Sequence, residues 1–396
     1  MIPLEKRFSV SARSVNSTFL LLVAGQIRLA LLCYLSIALA LLGGLTRTAH
    51  GAVGFTVTPA AVSNTYSGEI VLQITGLTNT ESVVIQKFLD LNANGVIDGG
   101  DWLLQQFKLT DGQAGMVIGG VTNLNVPGDL NATSGAVTAS LKFRNGDFAQ
   151  TIAGRYLFEL SSAASHFTPL TNQFAVTNFP FAQEITGKVV SDETGAVVPN
   201  AVLVLSPAPT AGEIGPETPL AGVVANNAGS YAIRMPPGTY VPIAFSGNYV
   251  FNYLASPVLT LASGQTINTN LTLTHATASI SGKVADASNA STGLPGGWVY
   301  AFSTNRLIGF TYVDSSGNFN MRVTAGDWAL GRNPSQLSIH GYVGSDNDDR
   351  RYSVGAGATG VTLAYPKATA LFYGSVKDDL GNPVPGVAVE DRKSVV

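Results

Sequence analysis

The sequence predicts an all-β chain of tandem sandwich domains, and three observations carry that expectation. Only 12 % of its 396 residues are charged and 43 are glycine, the composition of short strands joined by many turns. Apolar residues fall in short runs with partial period-two alternation, and none reads as a long amphipathic helix. Third, one pattern comes back twice. Ile185-Thr-Gly187-Lys-Val189 leads to Asp192, Gly195 and Pro199, and Ile280-Ser-Gly282-Lys-Val284 leads to Asp286, Gly293 and Pro295. Phe372-Tyr-Gly374-Ser-Val376 leads to Asp378, Gly381, Pro383 and Pro385. The anchoring glycines stand 95 and then 92 residues apart, which suits one small domain per copy better than a solenoid coil.

The chain opens with an expected export signal over residues 1–51. Lys6, Arg7, Arg13 and Arg28 precede an apolar run of 17 residues, Leu29–Leu45, and Ala49-His-Gly51 offers small residues for cleavage. A retained membrane anchor is the competing reading, since 17 residues lie near the lower limit for a spanning helix. Removal of 1–51 takes away five Lys/Arg and one Glu, leaving 17 basic against 24 acidic residues and a net charge of −7. That balance gives no support to nucleic-acid binding. The single cysteine, Cys33, lies inside the apolar run, so the mature chain is expected to lack disulfides and thiol chemistry. Each domain is then expected to hold together through a core of its own.

Residues 52–182 carry the strand-like runs Phe55–Thr58, Glu69–Ile74, Ser82–Phe88, Ala136–Phe143 and Arg155–Leu160, separated by turn clusters such as Thr110-Asp-Gly112 and Arg144-Asn-Gly146. This pattern predicts an immunoglobulin-like sandwich. Two further segments follow, 183–275 and 276–366. Aligned with each other, they share Asn226-Asn-Ala-Gly229-Ser-Tyr231 and Asp314-Ser-Ser-Gly317-Asn-Phe319, then Gly238-Thr-Tyr240 and Gly326-Asp-Trp328. The spacing has a physical reading: Asn or Asp opens a tight turn, Gly takes the positive φ, and the aromatic enters the core. The second glycine turns the chain into the next strand, whose Tyr or Trp is expected to pack on the first aromatic.

Gly-x-Val with Asp, Gly and Pro, then Asp-x-x-Gly-x-aromatic, then Gly-x-Tyr, resembles the carboxypeptidase regulatory-like domain. The resemblance implies a prealbumin-like sandwich, often grouped with carbohydrate-binding-like folds, and a module without catalytic residues. It covers about 184–366 in two copies, with Asn226 in place of the Asp and Trp328 in place of the Tyr. A third copy, 367–390, breaks off before its own turn and aromatic. The last residues, 391–396, Asp-Arg-Lys-Ser-Val-Val, carry no β-domain logic, and one codon choice for them spells the start of a sequencing adapter. The expectation is that they are an assembly artefact and that the gene continues.

One local motif carries chemistry. Asp90-Leu-Asn92-Ala-Asn94-Gly95-Val96-Ile97-Asp98-Gly-Gly-Asp101 satisfies a twelve-residue calcium-loop spacing. Asp90, Asn92 and Asn94 would project side-chain oxygens inward, Gly95 permits the sharp turn, and Val96 would offer its carbonyl. Asp98 would reach the ion through water, and Asp101 would close the shell. A short Asp at the last position resembles dockerin-type loops more than sensor EF-hands. The flanks suggest a calcium-stapled β-hairpin with a structural ion; an ion-free Asn/Gly-rich hairpin is the alternative. A second acidic stretch, Gly344–Arg351, lacks the sixth-position glycine and mixes in two arginines, which suits a solvated loop.

The other constellations are blander. His166, His275 and His340 are scattered, and neither His-Glu-x-x-His nor Gly-x-Ser-x-Gly occurs. Tyr249, Phe251 and Tyr253 alternate with other residues, as do Trp298, Tyr300 and Phe302. Such a row is either an exposed ladder for sugar rings or the buried face of a sandwich. The expected role is non-catalytic: an exported binding and spacer protein, extracellular or at a bacterial cell surface, with carbohydrate or a neighbouring surface protein as partner. The alternatives are the accessory region of a secreted peptidase or glycosidase whose catalytic domain lies beyond this chain, and a stalk without ligand. Ligand identity and oligomeric state are not legible.

Overall fold

The computed structural model describes residues 52–123, 128–143, 147–209, 218–332, 337–344, 352–371, 373–384 and 387. The expected export signal, the acidic stretch from 345 to 351 and the tail 391–396 lie outside them. Among the described residues the chain is strands and turns, with short 3-10 segments at Phe148–Thr151, Tyr253–Ala255 and Ser338–His340. The fold class is all-β, as the alternating runs predict. Among these residues no helix is long and apolar enough to cross a membrane.

The N-terminal runs each become a strand. Gly54–Thr58, Glu69–Thr75 and Ala136–Lys142 form a three-stranded sheet. Its inward residues Phe55, Ile70, Leu72, Ile74, Val137 and Ala139 are buried, and Thr56, Glu69, Gln73, Thr138, Ser140 and Lys142 alternate with them on the outer face, the period-two logic of a one-sided sheet. Ser82–Asp90 and Trp102–Thr110 pair antiparallel as a hairpin, with the calcium-type loop at its tip. Trp102-Leu-Leu-Gln-Gln-Phe is strand because it pairs with Ser82–Asp90 along the hairpin and buries Trp102, Leu103, Leu104 and Phe107.

The two full repeats share their bonding as well as their sequence. In the first, Glu184–Ser191 lies between Ser230–Arg234 and the parallel strands Thr266–Asn268 and Leu271–His275. In the second, Ala278–Asp286 lies between Asn318–Val323 and the parallel strand Val361–Tyr365. The anchoring glycine sits at the closest approach in both. A Cβ on Gly187 would stand 1.6 Å from the Thr269 carbonyl oxygen, and one on Gly282 1.9 Å from that of Val361. No side chain fits there, which is the physical meaning of the repeated glycine. The turn glycines match too: Gly229 (φ +66°) and Gly317 (φ +83°) hand their carbonyls to the Val189 and Val284 amides at 2.9 and 2.7 Å.

The Asn226 and Asp314 side chains build the turns as expected. Asn226 Oδ1 accepts from the amides of Ala228 (2.9 Å) and Ser230 (3.0 Å), and Asp314 Oδ1 from those of Ser316 and Asn318 (2.8 Å each). Tyr240 and Trp328 fill equivalent places: the phenol donates to the Pro236 carbonyl at 2.8 Å and the indole to the Thr324 carbonyl at 2.9 Å. Each ring thus fastens its strand to the residue four places back.

The sheets do not stop at the sequence-derived boundaries. In the first repeat the strand before the Asn226 turn, Ala221–Val224, pairs parallel with Ile152–Ser162 of the N-terminal segment, Gly222 opposite Ile152 and Val223 opposite Ala153. In the second, the strand before the Asp314 turn, Leu307–Tyr312, pairs antiparallel with Tyr249–Asn252 of the first repeat, Phe251 opposite Ile308. Two nine-stranded sheets result, each running through two segments. Pairing also covers strand edges that would otherwise template aggregation.

The core follows the sheets. Its largest hydrophobic cluster includes Leu72 and Phe174, Leu203 and Ile243, and Ile308 and Tyr312, so it draws on all three segments. A smaller cluster around Val284, Phe319 and Trp328 belongs almost wholly to the second repeat. The expectation that each domain closes a core of its own gives way to a shared one. The reason lies in the strand Trp298–Ser303, which is apolar on both faces. Val299 and Ala301 point into the smaller cluster, whereas Trp298 and Phe302 pack against the larger one.

Candidate functional site

The loop after Asp90 is ordered by its own side chains. Asp90 is buried at the end of its strand and accepts from the Gly95 amide (2.8 Å) and the Asn94 amide (3.2 Å). Asn92 Oδ1 accepts from the Asn94 amide at 3.0 Å, and Asn94 Oδ1 from the Val96 amide at 2.7 Å. Gly95 has φ +79°, the left-handed conformation that the sharp turn requires. Asp101 Oδ1 accepts from the Leu91 amide and Oδ2 from the Asp98 amide, at 3.1 and 3.0 Å. These bonds tie the end of the loop back to its start.

The electrostatics are those of carboxylates crowded at a hairpin tip. Burial pushes the Asp101 carboxyl up against opposing amide hydrogen bonds, and the charges of Asp98 and Asp90 push the same way. Asp98 is held down by the Gly100 amide and by the Asn92 and Asn94 side chains, which donate to its Oδ2 at 2.8 and 3.0 Å. The two Asn amides place partial positive charge where a cation would sit. Arg155 donates from Nη1 to the Ala93 carbonyl at 2.8 Å. Among the described residues no three His, Cys, Asp or Glu side chains gather closely enough to hold a metal alone. An ion here would therefore depend on Asn92, Asn94 and backbone carbonyls as well as on Asp90, Asp98 and Asp101. A mixed oxygen set of that kind is the chemistry of calcium.

The loop is also one wall of a cleft of about 600 Å³. Gly99, Gly100 and Asp101 face Gly247-Asn248 of the first repeat and Asp314-Ser315 of the second, with Asn320 and Arg322 alongside. The calcium-type loop and the repeat turn, more than two hundred residues apart in sequence, thus meet at one place. Arg322 donates from Nη2 to the Ala276 carbonyl at 3.3 Å, while its Nε is buried and has no partner among the described residues. Trp102 and Tyr312 also line the cleft but stack on each other, with centroids 5.0 Å apart. The polar part of the lining is thus amide, hydroxyl, carboxylate and guanidinium. Sequence reading missed Arg322, which sits one strand beyond the Asp314 turn in a run that alternates like any other.

The row at Trp298 resolves into a third arrangement, neither ladder nor internal sandwich face. Phe310 contacts the rings of Trp102, Phe148, Phe245, Trp298 and Tyr312 at 4.5–6.1 Å. Trp102 and Phe148 belong to the N-terminal segment, Phe245 to the first repeat and the others to the second. The rings are the joint between segments, and aromatic pairs contribute beyond their buried area. Phe251 is buried and Tyr249 packs edge-on against His275. His166 pairs with Glu81 at 3.0 Å, so the histidines serve separate local roles. Asp286, of the repeat pattern, accepts from Ser288 and from the Tyr342 hydroxyl (2.8 Å), which hold its carboxyl below the usual range.

No family model matches the chain, and no curated protein matches it. Among solved structures it is similar to the Bacillus anthracis TIE protein, at 11 % identity over 81 % of this chain and a TM-score of 0.19. The chain spans 59 % of that protein's length. It is similar to a streptococcal ancillary pilin at 11 % identity, over 73 % of this chain and 92 % of the pilin, with a TM-score of 0.22. The major pilin subunit of Bacillus cereus matches at 13 % identity, over 56 % of this chain and 70 % of the subunit, with a TM-score of 0.18. TM-scores of this size do not define a common fold, and the function below rests on the chain's own geometry.

Proposed function

We propose that the chain is an exported, non-catalytic binding and spacer protein of the cell surface. The observation that carries this reading is the repeated docking strand. In both repeats the strand preceding the signature turn hydrogen-bonds to the segment before it, so the segments are joined through sheet as well as through linkers. Backbone ladders and the Phe310 ring cluster resist bending at each joint, as a spacer requires. Binding falls to the cleft where Asp101, Asn248, Asp314 and Arg322 meet, with carbohydrate or a polar surface of a neighbouring protein as ligand. Its amide, hydroxyl and guanidinium donors suit hydroxyl or carboxylate groups.

Calcium is part of the same proposal, as a structural ion bound by Asp90, Asn92, Asn94, Val96, Asp98 and Asp101. It would stiffen the wall of the cleft and offset the repulsion among the three carboxylates. Calcium at a hundred times its dissociation constant would stabilise the fold by about 2.7 kcal/mol. Melting curves with calcium and with excess chelator should therefore differ, with the chelated sample melting lower. Superimposable curves would remove the ion from the account. A glycan-array screen of residues 52–390 tests the ligand: binding by the native chain that is lost in Arg322→Ala, at unchanged melting temperature, supports the cleft. Binding unaffected by Arg322→Ala places it elsewhere.

A further inference from the structure

Lys87 is a core lysine. It occupies the inward parity of its strand with Val83, Ile85 and Leu89, and only 3 % of its surface is exposed. Its Nζ lies 4.8 to 5.8 Å from the ring centres of Tyr156, Phe158, Phe174 and Phe143. Within this box it donates to Oε1 of Gln150, which is itself buried. The other end of that amide, Nε2, is buried with no hydrogen-bond partner among the described residues. Asp147, three residues earlier on the same turn and also buried, is near enough for its charge to act on Lys87. Two costs therefore sit side by side: an amine taken out of water, and an amide NH2 left unsatisfied.

We propose that Lys87 and Gln150 become joined by an intramolecular amide bond, formed within the folded chain. The Nζ lone pair bonds to the Gln150 side-chain carbonyl carbon, and the bond from that carbon to Nε2 breaks. One Nζ proton passes to Nε2, with the Asp147 carboxylate as relay, and Nε2 leaves as ammonia. Primary amine and primary amide become secondary amide and ammonia, so no oxidant, reductant or further reactant is needed. The product removes both costs at once, because the ionisable amine and the unpartnered NH2 are replaced by one N–H and one carbonyl. Burial lowers Lys87 to about 7 against the opposing charge of Asp147, so at neutral pH a large fraction of the amine carries a free lone pair.

The bond would close a loop between residues 63 apart. It would fix the strand that leads into the calcium-type loop to the 3-10 turn whose Phe148 enters the ring joint. Cross-links of that kind stabilise chiefly by restricting the unfolded chain. This inference is independent of calcium and of any ligand in the cleft.

The test is peptide mapping by mass spectrometry of the full chain purified after folding, and it needs no variant. The expected result is a branched peptide that joins the Lys87 and Gln150 segments. Its mass falls below that of the two linear peptides together by one ammonia, and it accounts for most of the material. Lys87→Arg and Gln150→Leu should each return the linear peptides. Recovery of Lys87 and Gln150 in separate, unmodified linear peptides from the native chain would overturn the proposal. So would an ammonia loss that maps to ring closure at Asn94-Gly95.

Discussion

Gly187 and Gly374 open the same pattern, yet they stand in different surroundings. Gly187 lies against the Thr269 carbonyl so closely that a Cβ would overlap it, as Gly282 does against Val361, whereas a Cβ on Gly374 would meet nothing within 4 Å among the described residues. The turn that follows Gly374 is nevertheless built. Asp378 Oδ1 accepts from the amides of Leu380 (3.0 Å) and Asn382 (2.7 Å), much as its counterpart Asp286 accepts from the Ser288 amide (2.7 Å) in the second repeat. Around it Tyr373 and Leu380 are 76 % and 81 % exposed. The difference separates two layers of the pattern. Asx turns close on bonds between residues two to four apart and form wherever their sequence occurs. The anchoring glycine acquires its role only when a parallel strand from the far end of the repeat arrives beside it.

That contrast can be broken by substitution. The largest effect should come from Gly187→Ala or Gly282→Ala, each of which places a methyl inside a backbone carbonyl. A loss of more than about 4 kcal/mol in denaturant titration is expected, since neither strand can move without opening its ladder. Phe310→Ala comes next, at about 3 kcal/mol, because it empties the centre of five ring contacts. Its signature should be regional: faster amide exchange where the segments meet, with Glu69–Thr75 little changed. Tyr312→Phe removes a buried hydroxyl that has no partner among the described residues, so it should be neutral or slightly stabilising in the same titration. Gly374→Ala, the matched control for Gly187→Ala, should leave the unfolding midpoint unmoved. An equal loss at both glycines would mean that the contrast between the copies is false.

Much of this was legible in the residues. Strand identity followed from alternation, because a half-buried strand must repeat every second residue. The hairpin at Asp90–Asp101 and the Asn226 and Asp314 turns followed from short-range side-chain chemistry. What stayed hidden depends on which edge meets which. Ala221–Val224 and Leu307–Tyr312 look like ordinary strands, and nothing in them declares pairing across a segment boundary. The row Trp298, Tyr300, Phe302 has the alternation of a binding ladder and of a buried face alike. Its actual place, against a neighbouring segment, depends on a docking that the row does not encode. Lys87 was within reach: the parity of Val83, Ile85 and Leu89 puts it inside, and a lysine on that register asks for a partner. Arg322 and the cleft required three segments at once.

The central claim is that the segments are joined through shared sheets. Native-state hydrogen exchange, resolved by residue, tests it most directly at the two seams. The account predicts that amides at Ile152, Ala153, Gly222 and Val223, and at Phe251, Asn252, Leu307 and Ile308, exchange only with global unfolding. Exchange of these amides at loop rates, or through opening of one segment while its neighbours stay protected, would contradict it.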